Sequence, residues 1–418
     1  MRGAAGRGTD AYLRGRRGRF KGAADDVDPE SLYSVEPFDF TTMSTLFTSL
    51  PLRSLVLPNR IVVSPMCQYS AVEGRAQPWH AVHLGHLAIG GAGLLLIEAA
   101  AVEPAGRITH GDLGLYDDAT EEALGRTLET VRSVSGTPIG IQLAHAGRKA
   151  SSARPWEGGR LIDVDSGGWR RVAPSAVPIS EDEPAPHALE RDELEALKLR
   201  FVDAVRRADR LGLDAIEVHA AHGYLMHQFL SPLANRREDE YGGPLENRMR
   251  WPLEVLASMR SAWPAHKPLG VRVSATDWRD DLPAAQRFDL PDAIAFARAC
   301  AKIGVDWIDA SSGGISPQQR ITLGPGYQVP FAEAIRREVP GMRVIAVGMI
   351  TEPQQADEIV ASGKADLVAL ARAMLYDPRW PWHAAAALGA RVDAPRQYWR
   401  SEPREHKGLF GDTAYGQR

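Results

Sequence analysis

The feature that most limits what this chain can become is a recurring short apolar run. Eight occur after residue 57: RIVVSP (60–65), GLLLIEA (93–99), PIGIQLA (138–144), LDAIEVHA (213–220), LGVRVSA (269–275), VDWIDAS (305–311), RVIAVG (343–348) and ADLVALA (365–371). Both faces of each run are apolar, so each needs cover on both sides, as a parallel strand between other layers does. Between the runs the period changes to that of a helix. In RDELEALKLRFVDAVRRADRLG, Leu194, Leu197, Phe201, Val205 and Ala208 fall on one stripe. Thr351 and Gln354, three apart with Glu352 between them, suit a capping box. Eight strand–helix alternations predict an α/β chain closed into a (β/α)8 TIM barrel. A doubly wound open sheet is the competing arrangement, but no G-x-G-x-x-G follows the first strand.

The longest interruption, GRKASSARPWEGGRLIDVDSGGWRRVAPSAVPIS, lies between the third and fourth strands. It leaves the C-terminal end of a strand, the catalytic face of such a barrel, and is expected to be a lid-like insertion. Residues 1–42 read differently from the rest. MRGAAGRGTDAYLRGRRGRFKG carries seven Lys/Arg against one acid, and the acidic DDVDPE follows. That composition predicts a disordered extension, with Met43 a more natural beginning of folded chain. The barrel is expected over 43–400 and a polar tail over 401–418.

A net charge of -4 over 418 residues gives no ground for a nucleic-acid partner. No run approaches the roughly 18 apolar residues that span a bilayer. The two cysteines, Cys67 and Cys300, build neither a disulfide framework nor a Cys-x-x-Cys motif. A cytoplasmic protein without membrane contact is expected.

In a barrel of this kind, residues just past each strand converge on one site. The first strand delivers Ser64, Pro65, Met66, Cys67 and Tyr69, and the second Ala99 and Ala100. The third delivers Gln142, His145, Arg148 and Lys149, the fourth His219, His222 and Tyr224, and the fifth Arg272. Gly348 follows the seventh strand, and Ala371 and Arg372 follow the eighth, where this fold commonly binds phosphate. An inward arginine and an amide suit a polar heteroaromatic ring. The histidines can polarise an oxygen and the tyrosine can give a proton. Each residue also has a plainer reading. Arg272 could be half of a structural salt bridge, and Cys67 a small buried hydrophobe. His219 and His222 could ligate zinc with His145, and Lys149 could form a Schiff base. No G-x-S-x-G elbow appears.

The segments SPMCQYSA, IEAAAV, IQLAHAGRK, HAAHGYLMHQFLSPLANRREDEYGG, ENR, VRVSA, VGMIT and LYDP occur in this order. Together they resemble the old yellow enzyme family of flavin-dependent ene-reductases over about residues 46 to 400. SPMCQY and QYWR are similar to its bacterial cysteine-containing subclass.

The resemblance implies FMN at the mouth of the barrel, held by Ser64, Pro65, Met66, Cys67, Ala99, Gln142, Arg272, Gly348, Ala371 and Arg372. It implies NADPH or NADH as hydride donor and small-molecule enones as substrates. It assigns His219 and His222 to the substrate oxygen, Tyr224 to proton donation, Tyr69 to substrate contact and Cys67 to tuning the flavin. Arg400 would enter a neighbouring subunit's site, which implies a homodimer or homotetramer. The chain departs from the family at Ala371, where glycine is usual, and after QYWR, which lacks the usual Gly-Trp. A low-turnover flavin redox sensor built on Cys67 and a metal-dependent TIM-barrel lyase are the competing functions.

Overall fold

The computed structural model describes residues 44–413. The extension expected over 1–42, and Met43 as its boundary, lie outside the described residues. Each of the eight apolar runs forms a strand: β1 Ile61–Val63, β2 Leu94–Ala101, β3 Ile139–Ala144, β4 Ala215–Ala220, β5 Leu269–Ser274, β6 Trp307–Ser311, β7 Arg343–Val347 and β8 Leu367–Leu370. All pairings between them are parallel, and β8 returns to β1 through Val368↔Ile61, Ala369↔Val62 and Leu370↔Val63. That closure excludes the open sheet.

Outside the strands pack α1 Pro78–Ala88, α2 Asp118–Arg132, α3 Arg191–Arg210, α4 Leu245–Ala262, α5 Leu290–Ile303, α6 Val329–Glu338, α7 Pro353–Ala361 and α8 Trp380–Ala387. The α3 stripe is buried as its spacing predicts. The capping box at Thr351 does not form. Pro353 opens α7, so Glu352 is the N-cap and Thr351 lies one residue too early. Its hydroxyl hydrogen-bonds the Glu352 carboxylate instead.

Two cores result. The larger lies between barrel and helices. The smaller fills the barrel and includes Val62, Leu94, Leu96, Ala215, Trp307, Ile345 and Leu367. An antiparallel hairpin, Leu50–Leu52 with Leu55–Leu57, closes it from below by burying Leu50, Leu52 and Leu57. Full burial of such a leucine contributes about 1.5–3 kcal/mol. Trp307 crosses the barrel over its β5 neighbour Gly270, where an added Cβ would stand 1.8 Å from indole Cε2. Only glycine leaves room for the ring.

The insertion after β3 is hydrogen-bonded to the rim rather than structureless. Val172–Ala173 pairs with His187–Ala188. Trp169 Nε1 donates to Ala105 O at 2.9 Å, and Arg148 reaches Val177 O and Pro178 O. Beyond Arg400, where a polar tail is expected, Leu409 and Phe410 are buried beside Trp382 of α8.

Candidate active site

The polar chemistry of the barrel begins one layer above Trp307. Neighbouring strands place Gln142 beside Glu217, and Arg272 beside both His219 and Asp309. Gln142 Nε2 donates to Glu217 Oε1 at 2.8 Å, and Trp307 Nε1 to Glu217 Oε2 at 3.1 Å. Arg272 Nε donates to Asp309 Oδ2 at 2.9 Å, and its Nη2 to Ser64 Oγ at 2.7 Å. Glu217 Oε1 stands 3.7 Å from Arg272 Nε. Two carboxyls thus share one guanidinium, and among the described residues Asp309 Oδ1 has no hydrogen-bond partner. Burial raises both acids above the usual carboxylate range, and Arg272 opposes that rise. The salt-bridge reading of Arg272 therefore describes its contacts, while the side chain still crowns the layer beneath the mouth.

A β-bulge between Ile97 and Ala99 brings Ala99 level with Gln142. Glu98, at the bulge, accepts from Gln68 N at 2.9 Å and faces buried His80, which fixes the loop carrying Cys67. Cys67 is half-buried, and burial, with Asp112 and Glu98 adding, pushes its thiol well above the usual range. Pro65 and Met66 are half-buried beside it. Tyr69 adopts φ 50°, its carbonyl accepts from Arg154 Nε at 3.0 Å, and its ring meets Trp156 edge-on at 5.7 Å. Arg154 and Trp156 belong to the insertion, so that segment reaches the β1 side of the mouth.

The end of β4 carries the densest chemistry. His219 Nδ1 accepts from Ala221 N at 3.2 Å, which leaves its proton on Nε2, 3.3 Å from His222 Nδ1. His222 then carries its proton on Nε2, 2.7 Å from Ser311 Oγ. Burial, with Arg272 and Lys149 adding, holds both imidazoles well below the usual histidine range, so both are neutral. His222 sits at φ 56°, a left-handed conformation that costs about 1–2 kcal/mol outside glycine. It is pinned from both sides: its N–H donates to Ser274 Oγ at 2.9 Å, and its carbonyl accepts from Lys149 Nζ at 2.8 Å. At Gly223, φ 76°, an added Cβ would meet Gly314 O at 2.1 Å. Tyr224 presents its ring edge-on to His219, centroids 4.7 Å apart, and stays partly open to the cleft.

His145 does not join the pair. Its Nε2 faces Glu103 Oε1 at 3.0 Å and its Nδ1 accepts from Gly147 N. Among the described residues no three His, Cys, Asp or Glu side chains are gathered as metal ligands would be. Lys149 hydrogen-bonds two backbone carbonyls instead of standing in an apolar pocket as a Schiff-base lysine would.

On the far side of the mouth Gly348, φ 124°, leaves no room for a side chain: a Cβ would stand 2.8 Å from Gln328 Nε2. Ala371, with φ -105° and ψ -89°, lies outside the regular helical and extended regions, and its side chain is half-buried. Arg372 follows as an exposed cation, and Arg400 is exposed on the turn Arg396–Ser401. The set suits FMN chemically: a cation, a hydroxyl and an amide are groups that pair with a polar heteroaromatic ring, and a glycine and an exposed arginine offer the close backbone approach and positive charge that a phosphate needs. Sequence reading passed over Glu217 and Asp309. Single acids inside the doubly apolar runs AIEVHA and WIDAS are the signal that marks them.

The profile of the NADH:flavin oxidoreductase / NADH oxidase family matches residues 45–390. The chain is 44% identical over 359 residues to the NADPH dehydrogenase of Geobacillus thermodenitrificans (strain NG80-2), covering 85% of this chain and 98% of that protein. It is 43% identical over 357 residues to the NADPH dehydrogenase of Bacillus subtilis (strain 168), covering 85% of this chain and 98% of that protein. Among solved structures, morphinone reductase aligns with a TM-score of 0.67 at 28% identity, covering 84% of this chain and 91% of that one. A profile spanning most of the chain, and relatives matched over nearly their whole length, agree with the barrel and its mouth: the chain belongs to the NADH:flavin oxidoreductase / NADH oxidase family, that of the old yellow enzymes, and is an FMN-dependent oxidoreductase.

Proposed function

We propose that this enzyme reduces the C=C bond of α,β-unsaturated carbonyl compounds at the expense of NADPH or NADH. The observation that carries the reading is the group His219, His222 and Tyr224 on one tight turn: two neutral imidazoles in contact, with a phenol packed on the first. FMN would be held by Ser64–Cys67, Ala99, Gln142, Arg272, Gly348, Ala371 and Arg372, and when bound would supply hydride transfer between the nicotinamide and the alkene. The chain supplies the rest. A carbonyl oxygen entering the mouth competes with His222 Nδ1 for the His219 proton and with Ser311 Oγ for the His222 proton. One hydrogen bond replaces another at each imidazole, so the net cost is small. The donors then meet an oxygen whose negative charge grows as the β-carbon takes up hydride. Each donor is worth about 3 kcal/mol on the scale of oxyanion-hole deletions. Tyr224 gives its proton to the α-carbon, and Tyr69 lies on the substrate side of the cleft.

The sensor reading has no support, because a responsive thiol needs a lowered pKa and burial raises that of Cys67. No helix among the described residues is long and apolar enough to cross a membrane. A cytoplasmic homodimer or homotetramer, with Arg400 entering a neighbour's mouth, completes the proposal, and gel filtration tests the assembly. The decisive experiment is anaerobic. NADPH should bleach the flavin absorption of the purified enzyme, and 2-cyclohexenone should restore it. Bleaching without recovery on adding enone overturns the reading.

A further inference from the structure

Proton transfer from Tyr224 leaves a charge that the reading above does not place. Burial, with Cys67, Tyr69 and Asp112 adding, pushes the Tyr224 phenol well above its usual value. The site thus resists the phenolate that proton donation creates. One cation stands against the ring. Lys149 Nζ lies 5.3 Å from the Tyr224 centroid, within cation–π range. The ammonium is deep in the cleft, fixed by hydrogen bonds to His222 O at 2.8 Å and Gly314 O at 3.0 Å. Loops after three strands, β3, β4 and β6, meet at this one nitrogen. No salt bridge neutralises it among the described residues. The charged and titratable groups around it are Arg148 on its own turn and His219, His222 and Tyr224 from the β4 loop. The β6 loop contributes only the Gly314 carbonyl.

We propose that Lys149 is a positioning residue for the reaction, whose ammonium stabilises the negative charge that arises on Tyr224 as Tyr224 protonates the substrate α-carbon. The proposal rests on the reading of Tyr224 as proton donor. In the step, the Tyr224 O–H bond breaks and a C–H bond forms at the α-carbon from the enolate electron pair. The negative charge passes from the enolate oxygen to the phenol of Tyr224, whose ring lies 5.3 Å from Lys149 Nζ, and solvent then returns a proton to Tyr224. The electrons come from NAD(P)H.

Burial, and Arg148 beside it, lower Lys149 from the usual lysine value to about 8. The ammonium is therefore present at neutral pH and lost as pH rises through that value. Enone turnover should fall on that alkaline side.

The test uses the FMN-loaded enzyme, reduced anaerobically with NADPH and reoxidised in a single turnover by 2-cyclohexenone or by ferricyanide. Ferricyanide takes electrons one at a time and needs no proton from Tyr224. Lys149→Gln should lower the ratio of enone to ferricyanide rates by at least about tenfold at pH 7 and remove the alkaline limb. Lys149→Arg should keep the ratio and carry the limb to higher pH. An equal fall in both rates, or a limb unchanged in Lys149→Gln, would overturn the proposal and leave Lys149 a clamp on the His222 turn. If the Gln variant does not retain FMN, the Arg variant decides: an unmoved limb overturns the proposal. Tyr224→Phe separates the two levels. If it leaves enone reoxidation unchanged, the donor reading itself fails. If it slows reoxidation while Lys149→Gln does not, only the role of Lys149 fails.

Discussion

Replacing Arg272 with methionine removes the one cation from a layer that holds two carboxyls. Asp309 loses two donors, Ser64 Oγ loses its partner, and Glu217 loses the charge 3.7 Å away. In the wild type Arg272 opposes the rise that burial imposes on both acids. Without it, at least one more acid must hold a proton in the folded chain. The unfolded chain releases that proton above roughly pH 4. A folded state that binds one extra proton loses about 1.4 kcal/mol of stability for each unit of rising pH. From pH 5.5 to 8 this comes to about 3.4 kcal/mol, within the scale of 3–5 kcal/mol for breaking a buried ion pair. With an unfolding entropy of about 2.1 cal/mol/K per residue over some 370 residues, the melting temperature should drop about 4 °C further at pH 8 than at pH 5.5. Calorimetry of wild type and Arg272→Met, both freed of flavin, measures the difference. An equal deficit at the two pH values would show that the acids never depended on the guanidinium charge.

Truncating His219 or His222 to alanine should lower kcat/KM for enones about 10²–10³-fold, the loss of one oxyanion donor, while NADPH still bleaches the flavin in stopped flow. Wild-type enone rates in both variants would remove the pair from the oxygen-binding role. Tyr224→Phe should slow reoxidation by enone and spare reduction by NADPH, read from the two half-reactions separately. Gly270→Ala drives a methyl into Trp307, 1.8 Å from Cε2, and breaks the indole bond to Glu217. It should cost about 3 kcal/mol or more and lower the melting temperature by about 4 °C. An unchanged midpoint would mean the barrel floor is looser than its packing implies.

The eight strands were legible because each buries both faces, and a doubly apolar run has few alternatives to a parallel strand. The residues at their ends were legible for the same reason, since closing the barrel brings every strand end to one mouth. Partnerships across strands were not. Nothing in IEVHA says that Glu217 accepts from Gln142 and Trp307, since that follows from register between β3, β4 and β6. His145 and His219 look alike in sequence, yet a carboxylate 42 residues away, Glu103, engages one and leaves the other at the mouth. The same holds for the insertion. Its composition suggests a lid, but the grip of Arg154 and Trp156 on Tyr69 depends on where the chain folds back.

The leucine hairpin beneath β1 to β8 stoppers the barrel, and Trp307 caulks the space above it. Among the described residues, the end left open is the strand-end mouth. Hydride donor and hydride acceptor must therefore use the same threshold in succession, the oxidised nicotinamide departing before the alkene arrives. Reciprocal plots at several fixed donor concentrations should then run parallel.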